Sequence, residues 1–355
     1  MSHAAASARR VSCGTGPAAP PASAGRAGRG ACDAPAVAEQ YPPIEPYEHG
    51  MLDVGDGQQL YWETVGNPDG LPALFVHGGP GSGCSSGQRR FFDPAAYRGV
   101  LLDQRGCGRS TPLASDVDVD LSVNTTQHLI ADMERLRAHL GIDRWLLFGL
   151  SWGSALTLAY AQRFPERVAA IVLGPVTVGS RREIDWICRE MGRVFPREWE
   201  RLIALVPEVE NDGSIPAAYA RLLADPDEFV RADAAEAWRT WEDAHISLVP
   251  GYRPTPHGHD REREMVFARL VTHYWSHDCF LDEDEIFLNM DRLVGIPAVL
   301  VHGRYDVSGP LETAWRLHRE WPRSRLVVVE DAGHGGGSFG SALMDALESF
   351  KRLPR

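Results

Sequence analysis

The stretch LLFGLSWGSALTLAYAQRFPERV, Leu146 to Val168, places Ser151 between Gly149 and Gly153. A serine hydroxyl attacks a carbonyl carbon only when a base takes its proton and an acid orients the base. The G-x-S-x-G spacing makes a turn so sharp that only small neighbours avoid clashes, and it holds the hydroxyl up at the end of a sheet. An apolar strand enters this turn and a helical pattern leaves it, so Ser151 is read as a nucleophile rather than a serine in an ordinary strand–helix turn. Around such a turn the acid and then the base follow in chain order, each at the end of a later strand. Asp306 follows the strand AVLVHGRYD, and His334 follows LVVVEDAGH. Asp331 competes for the acid role but lies close to His334 in sequence, so Asp306 is the better placed.

Attack on a carbonyl also needs backbone donors for the oxyanion. HGGPG, His77 to Gly81, directly follows an apolar strand near the start of the α/β pattern. Its glycines let the backbone approach a substrate, and the N–H groups of Gly79 and Trp152 are the natural pair. A glycine–proline loop without a ligand is the bland alternative. DQRGCGRS, Asp103 to Ser110, follows another strand, where its charges could brace the loop floor; it is neither a dinucleotide-binding nor a P-loop pattern.

The elements that must position these groups alternate. MLDVGDGQQLYWETVG reads as a hairpin about Gly55-Asp56-Gly57. PALFVHGG, GVLLDQRG, RWLLFGL and VAAIVLGP read as buried strands. Between the second and third of these, Leu129, Met133, Leu136 and Leu140 line one face of a helix that Gly141 stops. Buried strands alternating with helices imply a mostly parallel sheet covered on both faces. The rhythm breaks near Val176, and until about Asn289 the chain is Trp, Arg and Glu-rich and helical in pattern. It resumes with PAVLVHGRYD, a helix around Leu311 to Glu320, the strand before His334, and a helix from Ser341 to Leu353. The expected organisation is an α/β core, 41–175 and 290–355, interrupted by a helical cap, 176–289. Residues 1–40 are rich in Ala, Gly, Pro and Ser and are expected to be disordered. They lack the apolar core of a secretory signal, and read either as a transit peptide or as the product of a start assigned too early.

Composition narrows the partners. The 355-residue chain carries a net charge of −12, which argues against nucleic acid. No apolar run reaches the roughly 18 residues of a membrane helix. Its six cysteines form neither CxxC pairs nor zinc-spaced clusters, so no metal is expected and a cytoplasmic, reducing setting is.

Taken together, HGGPG, DQRGCGRS, GLSWGS, HGRYD and AGH, in this order and with this insertion, resemble the proline iminopeptidase (prolyl aminopeptidase) family of α/β-hydrolase serine peptidases. The resemblance runs from YPPIEPYEHGMLDVGDGQQL nearly to the C-terminus. It implies an α/β-hydrolase fold with an inserted helical cap, no cofactor, and release of N-terminal proline from peptides. It also implies Ser151, Asp306 and His334 as the triad and Gly79 and Trp152 as the oxyanion hole. The family holds the substrate amine with cap glutamates. WRTWE supplies one, Glu242. In ARLVTHYW the other is missing, and Val271 stands in its place, followed by His273, Tyr274 and Trp275. Ile187 and Cys188 occupy positions where the family tends to have aromatic residues. Tyr274, Trp275 and Val271 are expected at the substrate site beside Glu242, and Asp243, Asp278 and Asp282 are candidates to replace the lost carboxylate. Two functions stay open: proline aminopeptidase, or an esterase or amidase acting on another small molecule. Either implies a small peptide or small-molecule substrate, without a membrane partner; the oligomeric state is not legible.

Overall fold

In the computed structural model, residues 40–207, 213–252 and 260–353 are described. The eight strands are β1 (Glu48–Asp53), β2 (Gln59–Gly66), β3 (Leu71–Val76), β4 (Tyr97–Leu102), β5 (Trp145–Ser151), β6 (Val168–Val176), β7 (Ala298–Gly303) and β8 (Ser324–Val329). They form one sheet in the order β1-β2-β4-β3-β5-β6-β7-β8. The hairpin of β1 and β2 is antiparallel, and β2 meets β4 antiparallel, while every pairing from β4 through β8 is parallel. The helices are α1 (Ser86–Arg89), α2 (Thr126–His139), α3 (Trp152–Arg163), α4 (Arg181–Cys188), α5 (Pro196–Ile203), α6 (Ile215–Leu222), α7 (Glu228–His245), α8 (Arg261–Ser276), α9 (Glu285–Leu288), α10 (Leu311–Glu320) and α11 (Phe339–Phe350).

Strand periodicity explains why the sheet is buried on both faces. Successive side chains point to opposite sides. Leu74 and Val76 of β3, Leu147 of β5, Ile171 and Leu173 of β6 and Leu300 of β7 join one apolar cluster with α2, α3 and α10. Their neighbours Ala73 and Phe75, Leu146 and Phe148, Ala170 and Val172, and Val299 and Val301 join another with α11. Near-continuous apolar strands are thus required, and the sequence supplies them. Phe148 is fully buried, with Phe75 and Phe91 rings edge-on at 5.3 Å; truncating such a ring costs about 3–5 kcal/mol.

Strand order also fixes where a ligand can sit. From β3 the chain runs outward to β4, then returns to β3's other side with β5 and continues through β6, β7 and β8. In open sheets of this kind the crevice lies beyond the carboxyl ends of the two strands where the direction reverses, here β3 and β5. HGGPG follows β3 and Ser151 ends β5.

Among the described residues, the chain between β6 and β7 holds helices and no strand. The described residues belong to one compact unit, Val37–Arg355. Helix α10 occupies the span expected for it. Helix α11 begins at Phe339 and ends at Phe350, earlier at both ends than the expected Ser341 to Leu353. Phe339 is 4% exposed in the α11 face of the core, and that packing draws the start forward. The expected tail, apart from Gln40, lies outside the described residues. Among the described residues no helix is long and apolar enough to cross a membrane.

Candidate active site

Ser151 sits at φ +55° and ψ −124°, a backbone conformation that L side chains rarely adopt. The glycines two residues away make the turn feasible. A Cβ at position 149 would stand 2.3 Å from the Gly153 carbonyl oxygen, and one at 153 would stand 2.0 Å from the Val76 carbonyl oxygen. Helix α3 can therefore pack directly against β3 and β5. Ser154 Oγ donates to the Gly149 and Pro175 carbonyls at 3.3 and 3.1 Å, tying the turn to the end of β6.

The structure brings the three residues of the expected triad together. His334 Nε2 lies 3.0 Å from Ser151 Oγ, and His334 Nδ1 lies 2.9 Å from Asp306 Oδ2. The other Asp306 oxygen accepts the Gly309 N–H at 3.0 Å. Burial works to raise the Asp306 carboxyl, but the His334 charge and hydrogen bond outweigh it, and the group is held below the usual carboxylate range. Burial likewise disfavours imidazolium at His334. The Asp306 charge and hydrogen bond, with Glu242 behind them, overcome it and raise the imidazole above its ordinary value. Asp331 is not on His334: it is solvent-exposed and accepts the N–H and hydroxyl of Ser338.

Gly78 and Gly79 lie against Ser151. A Cβ at Gly78 would stand 3.1 Å from Ser151 Cβ and 3.6 Å from Ser151 Oγ, and Gly79 has φ +110°. Trp152 opens α3, so its N–H is among those the helix cannot satisfy internally. Gln104 braces both sides of this gap. Its Nε2 donates to the His77 carbonyl at 2.9 Å, and its Oε1 accepts the Trp152 indole N–H at 3.1 Å. Its backbone N–H donates to His77 Nε2 at 3.0 Å, which puts the His77 proton on Nδ1, 2.9 Å from the Gly78 oxygen. The rest of DQRGCGRS forms the charged floor. Asp103 accepts the Cys84 and Arg109 N–H groups at 2.7 and 2.9 Å and Arg109 Nε at 2.7 Å. Arg105 grips Asp132 through two bonds of 2.6 and 2.9 Å.

The helices between β6 and β7 close over these loops. A Cβ on Gly81 would stand 2.9 Å from Leu270 Cδ1 of α8, and the Tyr274 ring lies 5.1 Å from the Trp152 ring. Trp275 is half-buried and meets Trp238 edge-on at 5.8 Å. Val271 is fully buried in the same apolar cluster as Trp238 and Tyr274. The end of α7 is stitched to the loops that carry His334 and Asp306: the His334 N–H donates to the Ile246 carbonyl at 3.1 Å, and the Leu248 N–H to the Tyr305 carbonyl at 3.2 Å. From α4 the Trp186 indole donates to the Val307 carbonyl at 2.7 Å.

Glu242, on the last turns of α7, is the carboxylate facing this centre. Its side chain keeps 18% of its surface exposed, yet Oε1 is buried with no hydrogen-bond partner. Burial raises the carboxyl to about 7 and the charge of Asp243 adds to the rise, while the attraction of His334 and the nearby Trp238 indole N–H counter it. Of the acids considered as replacements at the site, Asp243 is paired with Arg239 at 2.7 Å, and Asp278 and Asp282 are solvent-exposed.

Several site residues had no motif to announce them. His302 sits beneath Asp306 at 3.8 Å, accepting the Val176 N–H and facing the Gly309 oxygen. Its signal is the repeat of VHG at the ends of β3 and β7. His245 lies one turn beyond Glu242 on α7; an i, i+3 spacing of ionisable residues was the only trace. Ser308 left none, and Gln104 was visible only as part of DQRGCGRS, where the charged residues drew the reading. Among the described residues, no group of three or more His, Cys, Asp or Glu side chains is placed to hold a metal ion.

The geometry has counterparts. The α/β-hydrolase fold family matches residues 72–340. A Streptomyces coelicolor protein named "probable proline iminopeptidase" is 53% identical over 317 residues, covering 88% of this chain and 98% of that protein. The proline iminopeptidase of Xylella fastidiosa (strain Temecula1) is 45% identical over 309 residues, covering 86% of this chain and 96% of its own. In fold, the chain is similar to the crystal structure of a proline iminopeptidase-related protein from Thermus thermophilus, with a TM-score of 0.52 at 23% identity over 86% of this chain and 94% of that one. The sheet, the strained serine turn and the relatives lead to one conclusion: the chain belongs to the proline iminopeptidase family of α/β hydrolases.

Proposed function

We propose that this hydrolase releases N-terminal proline from small peptides through an acyl-enzyme on Ser151. The observation that carries the reading is the Ser151–His334–Asp306 line lying under the buried, unpaired carboxylate of Glu242. His334 Nε2 takes the Ser151 proton as Oγ attacks the prolyl carbonyl, and Asp306 stabilises the imidazolium at Nδ1. The oxyanion is met by the Gly79 and Trp152 N–H groups, held apart by Gln104. His334 then protonates the departing amine. A water, deprotonated by the same nitrogen, cleaves the acyl-enzyme to free proline and restores the Ser151 hydroxyl. Glu242 receives the charged amine of the substrate, while Tyr274, Trp275 and Val271 supply the apolar wall a pyrrolidine ring needs. The chemistry asks for no cofactor or metal. A cytoplasmic setting is supported by Cys84, Cys107, Cys188 and Cys279, all free and buried.

A second reading, an esterase or amidase for another small molecule, is favoured by one feature: Val271 is an apolar, fully buried residue where the family pattern has a second carboxylate. Prolyl and alanyl p-nitroanilides and a series of neutral acyl esters separate the two. A preference for the prolyl anilide supports the first reading. Faster turnover of the esters, indifferent to a free amine, overturns it in favour of the second.

A further inference from the structure

Glu242 and His245 lie one turn apart on the same face of α7, and each ends in a polar atom that the protein leaves unmatched. His245 is fully buried. The Ser308 hydroxyl donates to the His245 carbonyl at 3.0 Å, so the lone pair of Ser308 Oγ accepts from His245 Nδ1 at 2.9 Å. The imidazole proton is thereby held on Nδ1, and Nε2 carries a lone pair. That nitrogen has no hydrogen-bond partner, and it stands 3.8 Å from Glu242 Oε2, too far for a bond between them. Glu242 Oε1 has none either. Burial keeps this imidazole neutral by pushing it down to about 3; the His334 charge acts in the same sense and Asp306 against it.

Two buried acceptor atoms, Glu242 Oε1 and His245 Nε2, therefore stand beside His334 without a hydrogen-bond partner. Such atoms cost free energy until a donor arrives. An N-terminal proline is a secondary ammonium with two N–H bonds and one positive charge, which matches one carboxylate oxygen and one neutral imidazole nitrogen. We infer that His245 Nε2 is the second acceptor for the substrate amine, taking over from the carboxylate that α8 lacks at Val271. This rests on the aminopeptidase reading above and names how this chain completes the amine site. His245 then favours substrates with two N–H donors, and an acylated N-terminus leaves Nε2 unmatched.

The test compares the full-length enzyme with His245→Leu and His245→Gln on three substrates: prolyl p-nitroanilide, N-acetylprolyl p-nitroanilide and p-nitrophenyl acetate. His245→Leu removes the acceptor at similar volume. It should lower kcat/KM for the prolyl anilide about 10- to 100-fold, mostly through KM, the order for losing a hydrogen bond to a charged group. Acetate hydrolysis should stay within about 3-fold, because acetate carries no amine and Ser308 keeps its hydrogen bond to the carbonyl of residue 245. His245→Gln, whose amide oxygen can accept in the same place, should recover most of the prolyl activity. A parallel loss on the prolyl anilide and the acetate would show that His245 only supports the Asp306 loop, and would overturn the inference. So would an unchanged KM for prolyl anilide in His245→Leu. If His245→Leu does not fold, His245→Gln decides: prolyl KM within about 5-fold of the parent, with acetate unchanged, supports the inference, and a loss above about 50-fold overturns it. A parent enzyme indifferent to N-acetylation overturns the aminopeptidase reading itself. A parent that demands the free amine, with His245→Leu demanding it equally, overturns only the role of His245.

Discussion

Replacing Glu242 by Gln should make this enzyme more stable and less active, with both effects depending on pH. The carboxyl rises from its ordinary 4.5 to about 7 because burial penalises its charge. At about 1.4 kcal/mol per unit, holding that charge costs the folded protein about 3 kcal/mol. The 18% of the side chain that reaches solvent makes this an upper value. The sign follows from the raised folded pKa. Below about 4.5 the acid is neutral in both states and the parent loses nothing; stability falls as pH rises toward about 7 and then levels. Gln mimics the neutral acid at every pH. Thermal melts should therefore show Glu242→Gln similar to the parent near pH 4.5 and higher by at most about 6–12 °C at pH 8, using about 2–4 °C per kcal/mol for a large domain. On the prolyl anilide, kcat/KM at pH 8 should fall about 100-fold, since a charge-assisted bond to the amine is lost. The acid limb on an amine-free ester should move to lower pH, because Glu242 helps hold the His334 imidazole up. A Gln variant less stable than the parent at pH 8, or a difference that stays constant from pH 5 to 9, would refute the reasoning.

Asp306→Asn should keep the fold and lower kcat about 10⁴-fold on every substrate, because an amide cannot stabilise the imidazolium; full-range pH–rate profiles and circular dichroism check it. Gly153→Ala would put a methyl carbon 2.0 Å from the Val76 carbonyl oxygen, so it should fail to give soluble, folded protein in expression and melting tests. Gln104→Leu should lower kcat on prolyl anilide and acetate alike, by about 10-fold, since it frees the Trp152 indole and the His77 loop that flank the oxyanion site; equal KM values before and after would mark the loss as one of transition-state binding.

Local chemistry is what made the centre readable from sequence. Gly149 and Gly153 are needed for close approach whatever surrounds them, and the apolar strands before Asp306 and His334 place their loops at one edge of a parallel sheet. Strand and helix periods survive in a single sequence, so β1 through β8 and α10 could be anticipated. The choice of Asp306 over Asp331 also agrees with the geometry, because Asp331 spends its oxygens on Ser338. The early start of α11 was hidden because Phe339 packs into a core that only tertiary structure reveals. Ser308, His245 and the bonding of Gln104 within DQRGCGRS were hidden for a related reason. Gln104 bonds to His77 and Trp152, and Ser308 to His245, across the fold, and a lone Gln, Ser or His is an ordinary residue until its neighbours are known. Asp243, Asp278 and Asp282 are paired or exposed and do not replace the missing carboxylate at Val271, and the unmatched imidazole of His245 stands 3.8 Å from Glu242.

In the proposed mechanism Ser151 attacks a prolyl carbonyl whose free amine is gripped at Glu242. The most direct measurement is kcat/KM on prolyl p-nitroanilide against its N-acetylated counterpart, with Ser151→Ala as the blank. Blocking the amine should lower kcat/KM at least about 100-fold, and Ser151→Ala should abolish turnover of both. Equal rates on the free and blocked substrates, each lost in Ser151→Ala, would leave the nucleophile standing and contradict the amine site.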